Sequence, residues 1–217
     1  MATLWGKTVQ LYVTGACEMG CPHCSSFQQK MPNMTIETFS EVLEVLTVYG
    51  VSRVELFAND PLLHSAIEEF VNLLNQSRLN YAILTVGASP KNADVKERFL
   101  RMLELIDPRK GAFVFSVDYT QESADRILAT NGKAVSYAFK ASAFWQFAPL
   151  LKDKRVPVRI NIVVSRDNIE ETPVIIRRAA AMGFAVSFCF VQCRQPEFKE
   201  LSLKGMTPGL TQSFKDF

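Results

Sequence analysis

No apolar run in this chain approaches the roughly 20 residues that a membrane-spanning helix needs. Nor do its first residues, Met1-Ala-Thr-Leu-Trp-Gly-Lys7, place a charged segment ahead of an apolar stretch as an export signal does. The expected location is therefore cytoplasmic, with no membrane partner. Charge of one sign is also lacking: 24 Lys and Arg against 22 Asp and Glu leave a formal net charge of +2, too weak a field for nucleic acid or an acidic membrane. The short basic clusters Lys152-Asp-Lys-Arg155 and Arg177-Arg178 read as solvated helix ends and faces. No Pro-, Gly- or Ser-rich stretch marks a linker in the 217 residues, so a single domain over 1–217 is expected, with a core at 8–192 and a tail at 193–217. After the first apolar run there is neither G-x-G-x-x-G nor G-x-x-x-x-G-K-[ST], which removes the common phosphate-binding signatures. Five cysteines, three of them bunched, do not resemble a secreted disulfide framework.

What is present is one repeated pattern: a β-rich apolar run, a turn, then an amphipathic helix. The runs predict strands at Val9 to Thr14, Arg53 to Ala58, Tyr81 to Val86, Ala112 to Asp118, Val158 to Val164 and Ala185 to Val191. Helices are expected at Thr35 to Tyr49, Leu62 to Gln76, Asp94 to Ile106, Ser123 to Asn131, Val135 to Leu151 and Glu171 to Met182, with Asn131-Gly132 as a break. Thr35 fits an N-cap, and Gly50 and Gly183 fall where C-terminal glycines belong. Strict alternation argues for a parallel sheet, because parallel neighbours need a crossover and a helix supplies it. Periodicity leaves two closures open, a doubly wound sheet and a barrel of six units. In both, the carboxyl ends of the strands form the functional rim. Phe113, Phe115, Phe188 and Phe190 read as core.

Directly after the first strand come Cys17, Cys21 and Cys24, spaced Cys-x3-Cys-x2-Cys. Three thiolates this close on one rim loop can hold three irons of a cubane cluster and leave the fourth iron without a protein ligand, open to a substrate or cofactor. Zinc is the competing occupant, and a closed tetrahedral zinc site would need a fourth ligand from His23, His64 or a distant cysteine. A zinc-stabilised α/β binding module built on Cys17, Cys21, Cys24 and His64 is therefore the alternative.

The segment Cys17-x3-Cys21-Pro22-His23-Cys24 resembles the cluster motif of the radical S-adenosylmethionine superfamily. The similarity extends from about Val9 to Gln192. It implies a partial (β/α)6 barrel, an α/β fold with a parallel six-stranded sheet, and cofactors consisting of a [4Fe-4S] cluster and S-adenosylmethionine. It also implies an enzyme in which an external one-electron donor reduces the cluster, S-adenosylmethionine is cleaved to a 5′-deoxyadenosyl radical, and hydrogen is abstracted from a substrate, peptide or small metabolite. Oxygen sensitivity follows from such a cluster. The stretch Ala58-Asn59-Asp60-Pro61-Leu62-Leu63-His64 is similar to the family's Gly-Gly-Glu-Pro-Leu-Leu-His turn, with both glycines and the glutamate replaced. Phe115-Ser116-Val117-Asp118 resembles the ribose-contacting end of strand four, and Ile160 to Asn168, with the helix that follows to Met182-Gly183, the fifth strand and helix of the branch that includes peptide-modifying maturases and the cofactor-biosynthesis enzymes.

By this resemblance Cys17, Cys21 and Cys24 are the metal ligands, and His23, Asn59, Asp60, Ser116, Asp118 and Asn161 face the cofactor. Structural readings stand beside these. Asp60 fits an N-cap ahead of Pro61 and can serve both roles, Ser116 and Asp118 can simply end a strand, and Asn161 can be a satisfied amide in an apolar strand. The altered turn at 58–60 also admits a related protein with weak S-adenosylmethionine binding. Cys189 reads as a buried thiol within strand six, and Cys193, just past that strand, as a candidate thiol that gives or receives a hydrogen atom. The end of the chain, 195–217, is too poor in cysteine for an auxiliary cluster.

Overall fold

A computed structural model describes residues 8–21, 24, 31–57, 59–130 and 135–190, side chains of Val135 and Phe190 excepted. Six strands, β1 (Thr8–Leu11), β2 (Arg53–Leu56), β3 (Asn80–Thr85), β4 (Gly111–Ser116), β5 (Val158–Val164) and β6 (Ala185–Phe190), form one sheet in the order β1-β2-β3-β4-β5-β6. Every neighbouring pair is parallel. A doubly wound sheet reverses its strand order at a switch point, whereas this order advances one strand at a time, as a barrel does. The sheet curls as well: Arg159 on β5 reaches Glu55 on β2 at 2.8 Å. The fold is thus the expected α/β partial barrel, with β1 and β6 at its edges.

The helices follow the expected alternation: α1 (Ile36–Val48), α2 (Ile67–Gln76), α3 (Asp94–Leu105), α4 (Gln121–Thr130), α5 (Val135–Asp153) and α6 (Thr172–Ala181). Thr35 caps α1, its hydroxyl accepting from Thr38 N at 3.1 Å, and Gly50 and Gly183 take positive φ after α1 and α6. The Asn131-Gly132 break lies outside the described residues. One helix starts later than expected. Pro61–Leu63 forms a separate 3-10 turn, His64 is extended, and α2 begins only at Ile67, because the His64 ring accepts from Ala66 N at 3.0 Å and restarts the chain.

Burial alternates along β5: Val158, Ile160, Ile162 and Val164 are buried beneath the helices, while Arg159, Asn161 and Val163 face the concave side. The core between sheet and helices is rich in phenylalanine, with Phe99, Phe113, Phe115 and Phe144 fully buried. Phe188 departs from expectation. It is 50% exposed on the outer face of β6, an edge strand. Cys189 departs too: its side chain alternates to the concave face beside Val163 and is exposed, so it is not a core thiol. No helix among the described residues is long and apolar enough to cross a membrane.

Candidate functional site

The loop that carries the cysteines leaves β1 at the carboxyl rim and is fastened to the end of β2. Thr14 is the anchor. Its hydroxyl donates to Asn33 Oδ1 at 2.7 Å and accepts from Ala16 N at 3.0 Å, and its carbonyl accepts from Asn59 Nδ2 at 3.1 Å. Asp60 N then donates to Ala16 O at 3.1 Å. Farther along, Gly20 takes φ +57, a left-handed turn that glycine makes without steric cost, and Cys24 N donates to Cys21 O at 3.0 Å. Glu18 and Ser89 are joined by a side-chain hydrogen bond, which ties the loop to the segment after β3.

These restraints leave Cys17, Cys21 and Cys24 half-buried and without disulfides. Burial pushes the Cys17 thiol up to about 11, against a hydrogen bond from Met19, and the charges of Asp60, Cys21 and Cys24 add to the rise. Cys21 is raised as well, first by burial, while the Lys140 ammonium opposes it. Thiols raised by burial and mutual repulsion ionise when a positive centre replaces their protons, which is the condition of a metal-ligating set. Among the described residues no group of three or more His, Cys, Asp or Glu side chains converges on one point as ligands of a single ion do. A cubane binds each thiolate through a different iron, so the cysteine donor set fits it without such convergence.

His64 does not join them. Its Nε2 lies 3.0 Å from Met34 O and its Nδ1 accepts from Ala66 N, so both ring nitrogens are spent on backbone groups. The ring is buried, packs 4.7 Å from Phe70, and has its pKa lowered by that burial. The tetrahedral zinc site with His64 as fourth ligand is therefore not formed.

The turn after β2 keeps the backbone that the replaced glycine would provide. Asn59 adopts φ +52, the left-handed region that asparagine tolerates better than most residues. With Nδ2 on Thr14, its Oδ1 is buried and has no hydrogen-bond partner among the described groups. Such an acceptor is costly unless a donor arrives, and an amino group of a bound cofactor is a suitable one. Asp60 is more fully occupied. Its Oδ1 accepts from Leu62 N at 3.1 Å and Thr85 Oγ1 at 2.8 Å, and its Oδ2 from Val86 N at 3.3 Å. The N-cap role expected of it is thus present. Burial raises its carboxyl to about 6 against these three hydrogen bonds.

On the concave face, register aligns Ser116 with Asn161 and Asn161 with Ser187. Ser187 Oγ lies 3.3 Å from Asn161 Oδ1, so two expected residues meet a third that the sequence did not single out. Asp118, 2% exposed just past β4, accepts from Val163 N at 2.9 Å and from Lys140 Nζ at 3.0 Å. Lys140 was likewise not singled out. Its signal is its isolation as the sole charged residue within 135–151 of α5. His23 and Cys193 lie outside the described residues.

Comparison with known proteins agrees with this geometry. The family model of the Radical SAM superfamily matches residues 11–179. This chain belongs to that superfamily. Membership brings the expected cofactor pair, a [4Fe-4S] cluster and S-adenosylmethionine. Among curated relatives, the PqqA peptide cyclase of Gluconobacter oxydans (strain 621H) is 25% identical over 177 residues, 79% of this chain and 45% of that protein. Among solved structures, Streptococcus suis SuiB bound to S-adenosylmethionine superposes with a TM-score of 0.75 at 14% identity, covering 98% of this chain and 47% of that one. The enzyme anSMEcpe with bound AdoMet gives a TM-score of 0.58 at 14% identity, covering 85% and 51%. The chain spans about half the length of the relatives it matches.

Proposed function

We propose that this chain is the catalytic barrel of a peptide-modifying radical S-adenosylmethionine enzyme, with Cys17, Cys21 and Cys24 as the cluster ligands. The observation that carries the reading is the half-buried three-thiol loop on the carboxyl rim, fastened through Thr14 to a turn whose Asn59 Oδ1 is an orphaned acceptor. When bound, the cluster and S-adenosylmethionine supply reductive cleavage of the sulfonium bond and a hydrogen-abstracting radical.

The protein's own groups then bind and orient. Asn59 Oδ1 accepts from the cofactor's amino group, and Asp60 holds the turn in place through its capping bonds. Ser116 and Asn161, with Ser187, offer a hydroxyl and amide row in the lumen, and Asp118 fixes the end of β4 against β5. Support for a peptide substrate comes from the curated relatives, which are named PqqA peptide cyclases. In this reading an external donor supplies the electron, residues 8–192 make one barrel core, and the protein works in the cytoplasm and is oxygen-sensitive. His23 faces the cofactor through its backbone, and Cys193 is the candidate thiol that gives or receives a hydrogen atom.

Anaerobic reconstitution tests the proposal. The expected product is a brown protein that forms 5′-deoxyadenosine when reduced with dithionite in the presence of S-adenosylmethionine. Cys17→Ala, Cys21→Ala and Cys24→Ala should each abolish both the cluster and the product. Unchanged iron content in all three variants sinks the ligand assignment. Cluster retention with no perturbation of its signal by S-adenosylmethionine supports the weak-binding alternative instead.

A further inference from the structure

The amino-terminal end of the concave face, the floor of the lumen, carries a charge cluster that the cofactor site does not use. Arg53 opens β2, Glu55 follows two residues later on the same face, and Arg159 is the second residue of β5. Both guanidinium groups turn to one carboxylate oxygen. Arg159 Nη2 donates to Glu55 Oε1 at 2.8 Å, and Arg53 Nε stands 3.7 Å from the same atom, too far for a hydrogen bond. Two cations against one anion leave the cluster with a net positive charge. The Arg53 and Arg159 side chains are 36% and 34% exposed, so a solute in the lumen can reach both.

Within this cluster the Nε atoms of Arg53 and Arg159 are both buried and have no hydrogen-bond partner among the described groups. An N–H withdrawn from water without an acceptor is costly, and two in one place call for an explanation. A triad serving only to close the sheet would seat the carboxylate in the fork of each guanidinium, whereas Glu55 accepts a single hydrogen bond from the pair. The Nε edge of each arginine matches a second carboxylate, which a planar fork receives through two parallel bonds. Placement favours a substrate group as its source. Arg159 precedes Asn161 by two residues on β5, about 7 Å along the strand from the row of Ser116, Asn161 and Ser187. A peptide gripped on the floor therefore keeps its next atoms beside that row.

We infer that Arg53 and Arg159 form a carboxylate-binding subsite on the floor of the lumen, which anchors an acidic group of the peptide substrate below the cofactor-facing row. Glu55 holds the two guanidinium groups together and leaves them one uncompensated positive charge, the match for one carboxylate. The inference deepens the proposed function and rests on a peptide entering the lumen. An Asp or Glu side chain and a terminal carboxylate supply the same chemistry, so the test separates them.

The test is a nuclear magnetic resonance titration of the reconstituted, oxidised full chain carrying isotope-labelled arginine. It is read from the Nε–H signals of Arg53 and Arg159, which Arg53→Lys and Arg159→Lys assign by their loss. The probes are N-acetylglutamate methylamide for a side-chain carboxylate, N-acetylglutamine for a terminal one, and N-acetylglutamine methylamide as the neutral control. An acidic probe, and not the neutral one, should shift both signals, and the acid that binds more tightly identifies the source. Arg53→Met should weaken its binding about tenfold, and Arg53→Lys less. Glu55→Gln, which removes the competing anion, should tighten it, a gain that a purely structural triad would not give. The inference is overturned by shifts that sodium chloride reproduces at equal ionic strength, by no shift with either acid, or by unchanged affinity in Arg53→Met. If Glu55→Gln does not fold, Arg53→Met decides, since that side chain gives up only the 3.7 Å ion pair among the described groups. A chain that loads no cluster sinks the proposed function, and the same titration of the cluster-free protein still decides the anchor.

Discussion

Glu55 on β2 accepts from Arg159 Nη2 on β5 at 2.8 Å, although β3 and β4 lie between them in the sheet. Three strand spacings of a flat sheet would separate the two backbones by about 14 Å, so the contact records the curl of the barrel. Arg53 Nε stands 3.7 Å from the same carboxylate, which therefore serves two guanidinium groups on the concave face. Removing Glu55 leaves both facing each other. Glu55→Ala should cost about 1–3 kcal/mol in urea unfolding, less than a fully buried pair because the Arg159 side chain is 34% exposed. Arg159→Met should cost less, since Arg53 remains for Glu55. A Glu55→Ala variant as stable as wild type would show that the cross-lumen pair contributes nothing to closure.

A second ion pair looks stronger and should matter less. Arg178 donates twice to Glu122, each bond 2.7 Å, and these bonds hold the Glu122 carboxyl at about 2. Yet the two side chains are 40% and 66% exposed. Solvent and salt screen such pairs, so Arg178→Ala should change stability by less than about 1 kcal/mol, and added salt should shrink the difference further. Because the folded value lies below the ordinary 4.5, the contribution is present above that pH and fades as pH falls toward 2. A larger loss than that of Glu55→Ala would reverse the ranking.

The contrast between these pairs shows which parts of the molecule were legible beforehand. The six strands, the alternating helices, the Thr35 cap and the Gly50 and Gly183 ends follow from local periodicity and capping, and all are present. Strands one, two and four were read too long, since β1, β2 and β4 end at Leu11, Leu56 and Ser116. Val13 and Val117 are fully buried and prolong the apolar pattern beyond Leu11 and Ser116, the last residues of β1 and β4 in register with a neighbour. The cysteine loop was legible because its chemistry is packed into eight consecutive positions. Lys140 on Asp118, Ser187 beside Asn161 and Arg159 on Glu55 were not, since each pair joins residues distant in sequence, 104 positions apart in the last case. No period in the chain encodes such meetings; only the strand order and the curl do.

Asp60 makes stability depend on pH in the direction opposite to most carboxylates. Burial raises its folded value from 3.8 to about 6, so the folded state binds the proton more tightly than the unfolded chain. The resulting stabilisation is full below about pH 4 and is lost as pH rises through 6. In cluster-free protein, wild type should gain about 2–3 kcal/mol relative to Asp60→Asn between pH 7 and pH 4. Chemical unfolding of both proteins across that range measures it. A stability difference that does not vary with pH would show that the Asp60 carboxyl titrates normally.

Asn59 supplies the sharpest test of the cofactor-binding turn, because two of its properties separate by substitution. Its φ of +52 is met equally well by glycine, so Asn59→Gly should fold and load the cluster as wild type does. What that variant loses is the orphaned Oδ1, together with the Nδ2 bond to Thr14. A hydrogen bond to a charged amino group contributes about 1.5 kcal/mol or more, and 1.4 kcal/mol is tenfold in affinity. Titration of the reduced cluster's resonance signal with S-adenosylmethionine should therefore need about tenfold more cofactor in Asn59→Gly. In Asn59→Ala the left-handed backbone adds a strain of about 1–2 kcal/mol, so that variant should lose stability as well as affinity. Equal affinity in wild type and Asn59→Gly would mean that Oδ1 never meets the cofactor, and that the turn contributes through its backbone alone.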